Sequence, residues 1–198
     1  MKYIIMADGK GSRWNNYMGL DKHCISIGGE TLMERTVRLL HENEPDAEVI
    51  ITSHNEELSI KGALRYEPLN NVLEIDRFTS ELIADDVCFL YGDVFYAEET
   101  LHRVVYDKST ERVLFFGNEK SICAVLVRDG EYFSSLADEV RSRYLKGELT
   151  QCKGWQVYHL HAQLPLEGKE IGEHFIRVTN LTCDFNSPED YDRFVNQK

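Results

Sequence analysis

The chain has 198 residues, of which 42% are hydrophobic and 28% are charged, and its net charge is −12. This length and apolar content suit one domain with its own core, which excludes disordered and fibrous proteins. The acidic balance disfavours nucleic acid and anionic membrane surfaces as partners. The first 41 residues nevertheless carry six Lys or Arg against four Asp or Glu, so we expect an anionic ligand to bind near them.

The cysteines and the apolar runs indicate a compartment. Five cysteines lie far apart with no Cys-x-x-Cys pair, which is typical of reduced thiols in a cytoplasmic protein. The first apolar run, residues 3–6, is too short for a signal peptide. No apolar stretch approaches the roughly 20 residues of a membrane span. The sequence therefore predicts a cytoplasmic protein that does not insert into membranes.

Strands and helices are expected to alternate along nearly the whole chain. Strands are predicted at residues 3–6, 48–52, 87–91, 112–116, 121–127 and 174–179, and helices at 30–44, 80–84, 97–108, 130–146 and from 187 onward. Residues 155–161 fit neither period. This alternation predicts an α/β fold: a single domain over residues 1–198 with a mostly parallel, mixed open sheet flanked by helices.

In such sheets ligands bind beyond the carboxyl ends of the strands, and the first of these ends carries a glycine-rich loop. Gly9 and Gly11 let backbone N–H groups approach an anion, and Lys10 and Arg13 add positive charge. Trp14 stands where a dinucleotide-binding fingerprint needs a third glycine, and the P-loop spacing is also absent. An ordinary βα turn with solvated charges is the alternative.

Three further residues are candidates for phosphate or metal chemistry. Lys22 carries a mobile charge suited to phosphate oxygens, although a plain surface lysine is the alternative. Asp93 ends a predicted strand and Asp184 precedes the last predicted helix, and carboxylates at such positions are natural ligands for Mg²⁺. The alternatives are a turn-forming aspartate and a local capping network.

Four stretches together resemble one family. Residues 3–13, 21–32, 88–94 and 183–191 are similar, in the same order, to the motifs of GT-A-like nucleotidyltransferases. This family includes sugar-1-phosphate, polyol-phosphate and molybdenum-cofactor nucleotidyltransferases, with motifs Leu-Ala-Ala-Gly-x-Gly-x-Arg, Pro-Lys, a strand ending Gly-Asp, and Asp-Ile/Asn-Thr-Pro-Glu-Asp. Asp8, Asp21 and Thr31 depart from these motifs, and we expect the two aspartates to add negative charge near the phosphates.

The resemblance implies a Rossmann-like GT-A fold and a role for each matching residue. The first loop would cradle the base and phosphates of a nucleoside triphosphate, Arg13 would meet the β- and γ-phosphates, and Lys22 the α-phosphate or the acceptor phosphate. The nucleotide-binding set is Ala7, Asp8, Gly9, Lys10, Gly11, Ser12, Arg13, Lys22 and Ser80, with Arg13 and Lys22 as catalytic residues. Ser80 is included because residues 77–82 resemble a short cytidylyltransferase stretch. Asp93 and Asp184 would hold Mg²⁺.

The implied activity is transfer of a nucleoside monophosphate from a nucleoside triphosphate to a sugar-, polyol- or choline-phosphate. Pyrophosphate would be released, and the product would serve as a precursor of cell-surface polysaccharide. Three alternatives stay open. They are a molybdenum-cofactor guanylyltransferase, suggested by residues 18–22; a GT-A glycosyltransferase that uses a nucleotide-sugar; and a nucleotide-binding subunit without activity. The sequence leaves the base, the acceptor and the oligomeric state undetermined.

Overall fold

The computed structural model describes residues 1–9, 11, 13–178 and 181–196. The strands are β1 (Lys2–Met6), β2 (Ser26–Ile27), β3 (Glu30–Thr31), β4 (Glu48–Thr52), β5 (Leu64–Tyr66), β6 (Val87–Tyr91), β7 (Val94–Phe95), β8 (Val113–Gly117), β9 (Ile122–Val127), β10 (Phe175–Arg177) and β11 (Cys183–Asp184). The α-helices are α1 (Leu32–Asn43), α2 (Glu98–Val105), α3 (Gly130–Leu145), α4 (Gly154–His161) and α5 (Pro188–Asn196).

Seven strands form the main sheet in the order β10-β8-β9-β6-β1-β4-β5. Strand β9 runs antiparallel to both of its neighbours, and every other pair in this sheet is parallel. The connection from β8 to β9 is too short for a crossover, so these strands form a hairpin. The predicted fold class, a mostly parallel mixed sheet flanked by helices, is confirmed.

Side chains of the strands alternate between two cores. Tyr3 and Ile5 of β1 join the core that includes α1 and α2, whereas Ile4 and Met6 join the core that includes α3 and α4. Because both faces are covered, the central strands consist of continuous apolar runs. Thr31 forms a capping box with Glu34 at the start of α1, which gives this departure from the family motif a structural role.

Several element predictions need adjustment. The helix predicted at 80–84 is a single 3₁₀ turn, Ser80–Leu82, and the undecided segment 155–161 is helical within α4. The strand predicted at 174–179 is β10, and residue 179 lies outside the described residues. Edge strand β5 was not predicted. The five cysteines are free, and no helix in the described part of the chain is long and apolar enough to cross a membrane.

Candidate active site

The loops that follow β1 and β6 meet at the carboxyl edge of the sheet. These two strands are parallel neighbours, and the N–H of Gly92 donates to the carbonyl oxygen of Met6 at 3.0 Å. A Cβ atom at position 92 would lie 2.8 Å from that same oxygen, so only glycine permits this approach. The close contact places Asp93 beside the loop that begins at Ala7.

Asp184 reaches the same place through a small second sheet. In the antiparallel pair of β7 and β11, Asp184 lies opposite Val94, and the N–H of Phe185 donates to the carbonyl oxygen of Asp93 at 2.8 Å. Asp93 and Asp184, far apart in sequence, therefore line one cleft with about 580 Å³ of empty space. We call it the main cleft.

Lys22 and Asp93 form a buried ion pair, with side chains only 6% and 9% exposed. Burial is the largest influence on the pKa of Asp93 and would raise it, but the Lys22 ammonium and the neighbouring His23 outweigh it and lower that pKa. Asp93 is therefore an ionised carboxylate whose charge Lys22 neutralises. The sequence identified both residues but not their contact.

Asp21, the departure just before Lys22, caps the 3₁₀ helix Lys22–Cys24. Its carboxylate accepts from the His23 N–H at 2.9 Å and lies 2.6 Å from Nδ1 of the same residue. Asp21 therefore has a capping role, and the expectation that it adds negative charge near the phosphates stays a prediction. Its carboxylate is bound to the turn and helps to hold Lys22 in position.

Asp184 has a different electrostatic environment. Burial, followed by the negative charge of Asp93, raises its pKa above the ordinary value. Its oxygens accept hydrogen bonds from the Ser121 hydroxyl at 3.2 Å and from the side-chain amide of Asn186. Within the described residues no lysine or arginine forms an ion pair with Asp184. The second carboxylate of the main cleft thus lacks the neutralising cation that the first one has.

Among the described residues, four cations line the main cleft, namely Arg13, Arg77, Lys120 and Lys153, and the buried Lys22 adjoins it through its ion pair with Asp93. The Arg13 guanidinium donates to the Asn186 side-chain oxygen at 2.8 Å. A Cβ atom at position 9 would lie 3.2 Å from Nη2 of Arg77, so Gly9 allows that guanidinium to pack against the loop.

Of these four cations, only Arg13 was predicted as a site residue. The stretch 77–82 predicted Ser80 as a nucleotide contact. Ser80 lies in a different pocket beside α3, and its hydroxyl donates to the Glu81 carboxylate at 2.8 Å. The structure therefore brings Arg77 to the main cleft, and does not bring Ser80 there. Lys120 and Lys153 lie in connecting segments without a motif, so no sequence pattern indicated them.

The first loop is held by contacts among residues that do not line the main cleft. The Asp8 carboxylate accepts from the His54 N–H at 3.0 Å and from the Asn71 amide at 2.7 Å, and lies 2.8 Å from His54 Nδ1. The expectation that Asp8 adds negative charge near the phosphates likewise stays a prediction. Ala7 is buried, and its N–H donates to the Thr52 carbonyl oxygen at 3.0 Å.

The second half of this loop and the segment after it include both described and undescribed residues. Gly11 has φ +56°, a left-handed conformation that favours glycine. Lys10 and Ser12, both predicted to bind nucleotide, lie outside the described residues. Trp14 is buried, its indole N–H donates to the Leu20 carbonyl oxygen at 2.9 Å, and it packs against Tyr191 of α5. It anchors the chain between Arg13 and Lys22.

The fold is similar to that of several solved structures of nucleotidyltransferases. The CTP:phosphocholine cytidylyltransferase from Streptococcus pneumoniae is 13% identical with a TM-score of 0.62, over 100% of this chain and 99% of that one. The 4-diphosphocytidyl-2C-methyl-D-erythritol synthase from Anaerococcus prevotii is 12% identical with a TM-score of 0.64, over 100% and 96%. The inositol-1-phosphate CTP transferase from T. maritima is 10% identical with a TM-score of 0.59, over 96% and 90%.

No protein-family model matches the sequence, and no curated protein sequence is significantly similar to it. At 10–13% identity, the likeness to these solved structures shows the fold alone. That fold agrees with the family resemblance that the four motifs carry.

Proposed function

We propose that this protein is a nucleotidyltransferase, which moves a nucleoside monophosphate from a nucleoside triphosphate to a phosphomonoester and releases pyrophosphate. One observation carries the proposal. The carboxylates of Asp93 and Asp184 lie in one cleft with the guanidinium groups of Arg13 and Arg77, at the carboxyl edge of a sheet with a nucleotidyltransferase fold. This arrangement offers positive charge for phosphate oxygens and oxygen ligands for a cation.

The reaction needs positioning and charge neutralisation more than it needs a base. An oxygen of the phosphomonoester attacks the α-phosphorus, a new P–O bond forms, and the bond to pyrophosphate breaks. The attacking oxygen is already ionised near neutral pH because the second pKa of a phosphomonoester is about 6. Arg13 and Arg77 would bind the phosphate oxygens and stabilise the charge that develops on the departing pyrophosphate. Lys22, held at Asp93, would supply a further cation near the reacting phosphates.

Asp93 and Asp184 would hold Mg²⁺, and their chemistry fits this ion. Mg²⁺ prefers oxygen ligands and usually takes only one or two protein carboxylates, with substrate oxygens and water completing its shell. Within the described residues, no group of three or more His, Cys, Asp or Glu could hold a metal ion unaided, so capture of Mg²⁺ would depend on the bound nucleotide. When bound, Mg²⁺ would neutralise charge on the triphosphate.

The acceptor would be a sugar-, polyol- or choline-phosphate, and the product an activated precursor of a cell-surface polysaccharide. The names of the similar structures support this range, since they include a phosphocholine cytidylyltransferase and an inositol-1-phosphate CTP transferase.

A pyrophosphate assay tests the proposal. The protein is incubated with Mg²⁺, each of the four common nucleoside triphosphates in turn, and a panel of phosphomonoesters. We expect pyrophosphate with at least one pair, and a loss of about 10²-fold or more in kcat/KM for Asp93→Asn and for Asp184→Asn. Asp138→Asn, at an exposed position on α3, is the matched control and should retain full activity. If folded protein releases no pyrophosphate with any pair, the proposal is wrong. Consumption of a nucleotide-sugar without pyrophosphate would instead favour a glycosyltransferase.

A further inference from the structure

A second pocket adjoins the main cleft and is larger, with about 1020 Å³ of empty space open to solvent. Lys120, Lys153 and Trp155 line both, so they form a common wall. The second pocket continues from this wall to Gln156 and Lys169, and we call it the side pocket. A molecule with its phosphate at the common wall could therefore reach the reacting centre from one side and fill the side pocket on the other.

The acidic residues of the side pocket are already engaged. The Glu119 carboxylate forms an ion pair with Arg177. The Glu167 carboxylate accepts from the Thr150 N–H at 2.6 Å and from the Thr150 hydroxyl at 2.9 Å. Arg177 therefore compensates the charge of Glu119, whereas the hydrogen bonds from Thr150 and the nearby Lys153 ammonium lower the pKa of Glu167 and keep it ionised.

The lysines of the side pocket have no such partners. Within the described part of the chain, Lys120, Lys153 and Lys169 form no ion pair. The three lysines that line the side pocket outnumber its two carboxylates, and two of the three ammonium groups lie at its border with the main cleft. This border suits the phosphate of an acceptor, and the excess of positive charge disfavours an acceptor with a cationic body.

Gln156 adds an unsatisfied hydrogen-bond acceptor. The residue is only 3% exposed, and its side-chain nitrogen donates to the Leu166 carbonyl oxygen at 3.2 Å. Its oxygen Oε1 is enclosed and has no hydrogen-bond partner among the described residues. A buried polar atom without a partner is costly, so a ligand that supplies a donor here gains more than at a solvated site. Beside it, Trp155 is fixed by stacking on Phe175, with ring centroids 5.6 Å apart.

We propose that the side pocket binds the uncharged, hydroxyl-bearing body of a polyol- or sugar-phosphate acceptor, and that Gln156 determines this specificity. This proposal rests on the proposed function. The acceptor phosphate lies at Lys120 and Lys153, and one hydroxyl donates to Gln156 Oε1 after a small rotation of the amide. A choline phosphate is disfavoured because a quaternary ammonium has no hydrogen-bond donor for this oxygen and would face the unpaired lysines.

Calorimetry on the full chain tests this proposal with glycerol 3-phosphate, sorbitol 6-phosphate, phosphocholine and inorganic phosphate as probes. At least one of the two polyol phosphates should bind about tenfold more tightly than phosphocholine and inorganic phosphate. Gln156→Met, which keeps the side-chain length, should weaken polyol phosphate binding about 5- to 10-fold and leave inorganic phosphate binding unchanged. Lys120→Gln should weaken all four probes, and Lys61→Gln, at an exposed position that lines neither pocket, should weaken none.

Two results would overturn the proposal: phosphocholine as the tightest probe, or a Gln156→Met variant with unchanged discrimination. The comparison among the four probes on the wild-type protein decides the matter even if Gln156→Met does not fold. Pyrophosphate release with phosphocholine as the preferred acceptor would reject this proposal and leave the proposed function intact. Tight polyol phosphate binding without pyrophosphate from any triphosphate would reject the proposed function and leave the side pocket assignment standing.

Discussion

Removal of the Lys22 ammonium should affect stability as well as activity. Lys22 and Asp93 are a buried ion pair, so Lys22→Ala leaves the Asp93 carboxylate buried without its partner. Breaking such a pair costs about 3–5 kcal/mol in the free energy of unfolding. In a chain of this size, 1 kcal/mol corresponds to about 2–4 °C in Tm, so the variant should melt roughly 6–20 °C below the wild type.

The loss of stability in Lys22→Ala should depend on pH in a definite direction. In the wild type the pKa of Asp93 is lowered, so the stabilisation from its charge is present above the ordinary aspartate pKa of about 4 and is lost as pH falls through the lowered value. In Lys22→Ala, burial acts without the ammonium and should raise the pKa of Asp93. The stability deficit of the variant should therefore be largest near neutral pH and shrink as the solution is acidified.

Urea unfolding at a series of pH values, followed by tryptophan fluorescence, measures both effects. Lys120→Ala removes an exposed lysine of the same cleft and should stay within about 0.5 kcal/mol of the wild type. The double variant Lys22→Met/Asp93→Leu removes both charges and should recover most of the lost stability. At a temperature where Lys22→Ala is folded, its kcat/KM should still be about 10²–10⁴-fold lower. A single variant as stable as the wild type, with no recovery in the double variant, would refute the buried pair.

Three further changes test other parts of the site. Asp184→Asn should melt at or above the wild-type temperature near neutral pH, because burial and the nearby negative charge raise the pKa of Asp184. Thermal unfolding should show the difference in Tm between variant and wild type shrinking as the pH falls through that raised pKa. Asp8→Ala should lower the free energy of unfolding by about 1–3 kcal/mol and raise the KM for nucleotide, since it removes the hydrogen bonds with His54; a lower KM would mean that charge repulsion dominates. Gly154→Ala would place a Cβ atom 2.5 Å from the Tyr91 hydroxyl oxygen and should cost about 1–3 kcal/mol in urea unfolding, with reduced kcat/KM; wild-type values for both would contradict the tight packing.

The local sequence pattern was sufficient to predict the central strands and most of the longer helices. The run at residues 3–6 predicted a strand buried on both faces, and β1 has alternate side chains in two cores. Helix α1 has a single apolar stripe, so its period is clear. Helix α4 is buried around much of its circumference, so its sequence shows no stripe, and only packing revealed it as a helix. Strand β5 has three residues and depends on pairing with β4, which no local pattern indicates.

The candidate site likewise contains residues that the local sequence predicted and contacts that only the fold revealed. The motifs identified Arg13, Asp93 and Asp184 because glycine-rich loops and strand ends have recognisable sequence patterns. The pairing of Lys22 with Asp93 joins residues 71 positions apart, and only the meeting of two loops at the sheet edge decided it.

The same limit applies to the residues that were not predicted as site residues. Arg77, Lys120 and Lys153 are single cations in connecting segments, where a charged side chain is ordinarily solvated and has no pattern of its own. No sequence pattern indicated Gln156 either, because whether its amide oxygen lacks a hydrogen-bond partner depends on the groups around it in the fold. The sequence by itself determined the central strands, most of the longer helices and the motif residues, since these depend on neighbours along the chain. The tertiary structure alone decided which charges are paired, buried or left without a partner, because those properties depend on groups that are distant in sequence.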